Sequence, residues 1–151
     1  MSGAELKAMQ AALGAEHAAV YGYGIVGGKI GDARQSEARE AYDAHRARRD
    51  LLTRAVRDLD GRPEASAAAY ALPFPVTDAD SAVRLAVRLE EGVAGVYSDL
   101  VRAATGERRA SAAEALREAA VRAVRWRGAS VAFPGLAERA AGATASAAPR
   151  T

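Results

Sequence analysis

Pro63, Pro73 and Pro75 all stand within residues 61–77. A proline ring removes a backbone donor and clashes with the preceding turn, so no helix runs through the middle of this chain. Helical periodicity resumes on both sides of the break, in two segments each. The chain therefore reads as two helices, a long link, and two more helices.

The first segment carries Leu6, Met9, Leu13, Glu16, Val20 and Tyr23 at spacings of three and four. Gly27 and Gly28 are expected to end it. Asp32 is the expected N-cap of the second helix, whose stripe is Ala38, Tyr42, His45, Arg49, Leu52, Val56 and Leu59. That helix is expected to run to about Asp60. Asp78 or Asp80 opens the third, with Leu85, Leu89, Val93, Val96 and Leu100 inward and Val83, Glu90 and Tyr97 on the adjacent edge. It is expected to end near Gly106. Ser111 and Glu114 form an S-x-x-E capping box, the expected start of the fourth helix, with Ala112, Leu116, Ala119, Ala123 and Trp126 inward and an end at Gly128. Short loops join antiparallel neighbours, and the long link lets the second and third helices run parallel. The expectation is an all-α four-helix bundle with a long crossover between helices 2 and 3, the ferritin-like connectivity. One domain is expected over residues 1–136, with a disordered tail over 137–151.

Gly22, Gly24 and Gly27 spell G-x-G-x-x-G. A dinucleotide loop needs a strand before it and a helix after it. Here the glycines close a helical stripe, so close approach of a neighbouring helix or of a ring, Tyr21 or Tyr23, is the better reading. A hairpin through YGYGIVGGKI is the alternative for the last turn.

The chain has no cysteine, which excludes disulfides and thiolate zinc sites. Its net charge of +2 supplies no strong field for nucleic acid or an anionic membrane. Arg46, Arg54 and Arg57 cluster in the second helix, but Asp50 and Asp58 interleave and no aromatic residue is placed for base stacking. Nucleic acid is therefore not an expected partner. No apolar run reaches the roughly 18 residues of a membrane span, and no signal-peptide h-region is read after Met1, so no leader is expected. A cytoplasmic protein is expected. The apolar pieces LPFPV and AFPGL are expected to cap bundle ends or to form a homodimer contact.

A bundle with a dinuclear metal centre draws one glutamate from each of two helices and a Glu-x-x-His pair from each of the other two. Glu16 and Glu90 match the single glutamates. The second helix reads Glu40-Ala-Tyr-Asp43, with aspartate where histidine is needed, and the fourth, with Glu114 and Glu118, has no histidine. Arg122 instead brings a fixed positive charge. The leading expectation is thus a buried polar cluster of Glu16, His45, Arg49, Glu90, Tyr97, Arg122 and Trp126 in a non-catalytic binding or structural module. The alternative is a metal-binding redox protein holding iron or manganese at Glu16, His17, His45 and Glu90, with no other cofactor.

AEHAAVYGYG, HRARRD, LPFPV, LEEGVAGVYSDLV and WRGASVAFPGL follow one another in this order between Ala11 and Leu136. Together they resemble an uncharacterised ferritin-like family of high-GC bacteria, the domain of unknown function 4439. The resemblance implies a ferritin-like bundle. Broader ferritin-like proteins store iron, oxidise substrates at paired metals or bind DNA as cages. Those roles need the ligand set, which only Glu16 and, less closely, Glu90 match here.

Overall fold

The computed structural model describes Gly3 to Gly128, and within these residues the chain is an all-α four-helix bundle. Helix α1 spans Gly3–Lys29, α2 Gln35–Asp58, α3 Ala79–Ala103 and α4 Gly106–Arg127. A 3₁₀ turn at Asp32–Arg34 precedes α2. The AFPGL segment, the expected domain end at residue 136 and the tail over 137–151 lie outside the described residues.

Several helix ends differ from expectation, each for a local reason. Helix α1 continues through Gly27 and Gly28, which rules out the hairpin, and the chain turns at Gly31 with φ of 80°. Asp32 sits in the 3₁₀ turn and does not cap α2. Helix α2 ends at Asp58 in a Schellman motif. The amide of Gly61 donates to the carbonyl of Val56, that of Asp60 donates to Arg57, and Asp60 takes the left-handed position at φ of 59°. Asp78 is the N-cap of α3, accepting from the Ser81 amide at 2.8 Å while Ser81 Oγ accepts from the Asp78 amide. Helix α3 ends at Ala103, and Gly106 starts α4 five residues before the expected Ser111 box. Arg109 explains the early start. Its guanidinium donates to the carbonyls of Val101 and Ala104, capping α3 from inside the first turn of α4.

The crossover from residue 59 to 78 runs along α1 in the direction of α1. Gln10 meets the backbone of Arg62 and Glu64, His17 donates Nε2–H to the Glu64 carbonyl at 2.9 Å, and Tyr21 packs on Tyr70. This path carries the chain from one end of the bundle to the other, so α2 and α3 run parallel.

Helix α1 packs on α2 and α3, and α3 packs on α4. Ala112, Ala115, Ala119 and Ala123 form the buried face of α4 and allow its close approach to α3. Helices α2 and α4 come together less closely. The apolar interior has two parts. One holds Met9, Leu13, Leu52, Val56 and Leu100; the other holds Val26, Ile30, Leu85 and Trp126. Each large side chain fully buried here contributes about 1.5–3 kcal/mol.

The glycine motif is a packing feature at one position only. A Cβ on Gly22 would lie 2.5 Å from Leu89 Cδ1, so the contact comes from α3 and not from a tyrosine ring. Around Gly24 the space is open. Gly24→Ala is therefore expected to stabilise the protein by about 0.5–1 kcal/mol. Gly22→Ala is expected to destabilise it by about 1 kcal/mol despite the same propensity gain, because Leu89 must give way. Urea denaturation of the two variants measures the difference.

Candidate functional site

Between the two apolar regions lies a layer of charged side chains. Glu16 from α1, His45 from α2 and Glu90 from α3 are each 0% exposed. They reach the interior because all three stand on the apolar stripes of their helices. A charge placed there is costly unless it is paired, and these are paired with one another.

His45 is the bridge. Its Nδ1 lies 2.6 Å from Glu16 Oε2 and its Nε2 lies 2.8 Å from Glu90 Oε1. An ionised carboxylate only accepts, so both ring nitrogens carry protons and His45 is an imidazolium. Burial alone would push its pKa down, but the hydrogen bonds and charges of Glu16 and Glu90 outweigh that and hold it up at about 9. Burial likewise opposes ionisation of Glu90, and the His45 hydrogen bond, with the charges of His45 and Arg122, wins and holds its pKa below the ordinary value.

Two tyrosines complete the layer reciprocally. Tyr97 of α3 donates to Glu16 Oε1 at 2.7 Å, and Tyr23 of α1 donates to Glu90 Oε1 at 2.7 Å. Each glutamate is followed seven residues later by a tyrosine on its own helix. Because α1 and α3 are antiparallel neighbours, the two Glu–Tyr pairs cross and each tyrosine caps the other helix's carboxylate. Burial and the adjacent carboxylates push both phenol pKa values up, so both remain donors. Trp126 Nε1 donates to the Tyr23 hydroxyl at 3.0 Å, and the Tyr23 ring stacks on the His45 ring.

Helix α4 contributes the second cation. Arg122 Nε donates to Glu90 Oε1 at 2.8 Å. Two carboxylates thus face one imidazolium and one guanidinium, and the layer carries no net charge. Glu90 Oε1 receives three donors, whereas the buried Oε2 has no hydrogen-bond partner among the described residues.

Of the sequence-based candidates, Glu16, His45, Glu90, Tyr97, Arg122 and Trp126 come together. Arg49 does not. It pairs with Asp50, which leaves Arg122 as the arginine of the layer. His17 lies next to Glu16 in sequence, but a helix turns about 100° per residue, so it points outward to the crossover. Glu40 and Asp43 are exposed, and the residue three before the buried His45 is the half-buried Tyr42. In α4 the inward pair at the same spacing is Ala119 and Arg122. Tyr23 joins them as a polar partner, and the matching Glu–Tyr spacing in the first and third helices is its sequence signal.

The donor set does not fit a metal centre. A metal ion coordinated by His45 needs one ring nitrogen without its proton, which breaks the bond to Glu16 or Glu90, and it stands against the permanent charge of Arg122. Among the described residues no three His, Asp or Glu side chains group to hold a metal ion.

The family described as Domain of unknown function (DUF4439) matches residues 8–138. The chain belongs to this family. A crystal structure of a conserved hypothetical protein, rv2844, from Mycobacterium tuberculosis is 36% identical to it. The match covers 87% of this chain and 97% of that chain, with a TM-score of 0.81. No curated protein matches the chain. The DUF4439 bundle described here thus shares its architecture with a solved relative.

Two outcomes are expected from the charge balance. The raised His45 pKa stabilises the fold fully below its ordinary value of 6.5, and this contribution is lost as the pH rises through about 9. Urea unfolding between pH 6 and pH 10 is expected to show an alkaline loss on the order of 2–3 kcal/mol, absent in His45→Gln. The depressed Glu90 pKa acts at the other end: its contribution is present above the ordinary 4.5 and fades as the pH falls through the lowered value. Arg122→Met, which leaves Glu90 short of a cation, is expected to cost about 2–3 kcal/mol, and Arg49→Met less than about 0.5 kcal/mol. Equilibrium denaturation at pH 7 compares the two.

Proposed function

We propose that this protein is a non-catalytic binding or structural module of ferritin-like descent, in which a charge-balanced polar layer has replaced a dinuclear metal centre. The observation that carries this reading is His45 held as an imidazolium between Glu16 and Glu90, with Arg122 on the same carboxylate oxygen as its Nε2. The positions favour replacement of an older site. Single glutamates stand on α1 and α3, as in dinuclear bundles, while the expected Glu-x-x-His pairs read Tyr42-x-x-His45 and Ala119-x-x-Arg122. A permanent cation in the fourth helix is what a cation-binding centre excludes.

The module works in the cytoplasm as a homodimer on this reading. Among the described residues no helix is long and apolar enough to cross a membrane. The outward face of α4 supports self-association, because Leu116, Ala120, Val121 and Val124 line an apolar surface there and Val121 is 43% exposed. Abundant alanine, with Lys7 and Lys29 the only lysines beside many arginines, supports a high-GC bacterial source.

The test is elemental analysis of the purified protein after incubation with iron, manganese and zinc in turn. No stoichiometric metal and an unchanged melting temperature are expected. Stoichiometric metal that disappears in Glu16→Ala overturns the proposal and restores the metal-binding redox reading.

A further inference from the structure

We propose that the cleft between α2 and α4 binds a small apolar monocarboxylate, with the tail against the bundle interior and the carboxylate at Arg54. The cleft exists because α4 is drawn onto α3 by its alanine face and stands off from α2. The gap encloses about 310 Å³, at the lower end of the roughly 300–1,000 Å³ typical of small-molecule sites. Its floor is apolar, formed by Met9, Leu52, Tyr97 and Leu100. Leu51, 47% exposed, stands at its edge as a large apolar side chain that the fold leaves uncovered.

The charges around the cleft select the head group. Arg48 also lines it but is held by Glu118 at 3.0 Å, and Arg108 is held by Glu5. Arg54 lines the cleft with no ion-pair partner among the described residues. Asp58 stands on the same wall, one turn further along α2. A guanidinium outside any ion pair, with one carboxylate on the same wall, favours a single negative charge over two. A phosphate dianion meets repulsion from Asp58 with too little cation to offset it. The Ser111 hydroxyl on the α4 side supplies a neutral hydrogen-bonding group for the same head. The inference is of binding.

This inference rests on the reading of the bundle as a binding module, and the two fail separately: metal uptake concerns the Glu16–His45–Glu90 layer, ligand uptake the cleft. Met9 supplies a direct probe, since the chain has two methionines and the other is Met1. Full-length protein with ¹³C-labelled methionine methyls is titrated with decanoate, 3-phenylpropionate and decanol, below the concentrations at which the chains form micelles. A saturable shift of the Met9 methyl is expected with at least one acid, and the preferred acid distinguishes a flexible chain from a flat ring as the apolar body. Decanol is expected to bind about ten-fold more weakly than decanoate if the chain is preferred. Where the ring is preferred, 3-phenylpropanol takes decanol's place. Arg54→Ala is expected to erase the preference for the acid over its alcohol, and Ser111→Trp, at the exposed mouth, to block binding. Both substitutions are at exposed positions, and circular dichroism confirms that the helices persist. No saturable Met9 shift with either acid overturns the proposal. So does an alcohol that binds as well as its acid, or binding unchanged in folded Ser111→Trp.

Discussion

The imidazolium of His45 is the point on which this bundle turns. Three helices bring ionised groups to one place, and only a doubly protonated ring between Glu16 and Glu90 makes that burial tolerable. Taking charges out of water costs several kcal/mol per ion, and the mutual attraction of a pair offsets it only when the geometry is good and the remaining acceptors are served. Tyr23, Tyr97 and Arg122 serve most of them. The layer therefore contributes less to net stability than its short contacts suggest. It sets the register of α1, α2 and α3, since a slip of one residue turns a glutamate outward and leaves the histidine unpaired.

The rest of the architecture is arranged around that layer. The apolar regions above and below it are continuous across α1 and α3. The crossed Glu–Tyr pairs make these two helices a nearly self-complementary unit, in which each donates a phenol to the other's carboxylate. Helix α4 closes the layer with Arg122 and packs its alanines on α3. Its distance from α2 follows from those attachments, and it leaves Arg48 and Glu118 to span the seam at 3.0 Å. The arrangement thus has a tight half, α1 with α3 and α4, and a looser face that carries the cleft.

Much of the site was legible because polar residues on apolar stripes are conspicuous. Glu16, His45 and Glu90 stand out against leucine, valine and alanine at helical spacing, and Arg122 and Trp126 share the face of α4. Arg49 occupies a stripe position too, but its long side chain reaches water and pairs with Asp50. His17 beside Glu16 looked like a ligand pair only when sequence adjacency stood in for helical phase. Glu40 and Asp43 stand at Glu-x-x-His spacing but out of phase with the inward face of α2, which is set by Ala38, Ala41, His45 and Leu52.

The sequence by itself determined the four helices, the crossover and the identity of most buried charges. Periodicity and proline placement are local properties, and they act through backbone geometry that each segment carries with it. Tertiary structure decided the rest. It selected Leu89 as the neighbour of Gly22, set the early start of α4 through Arg109, and crossed Tyr23 and Tyr97 onto each other's helix. It also fixed the protonation of His45 and opened the cleft beside Arg54. Those outcomes depend on distances between helices, and such distances follow from side-chain volume and charge on several elements at once, which no single stretch of sequence contains.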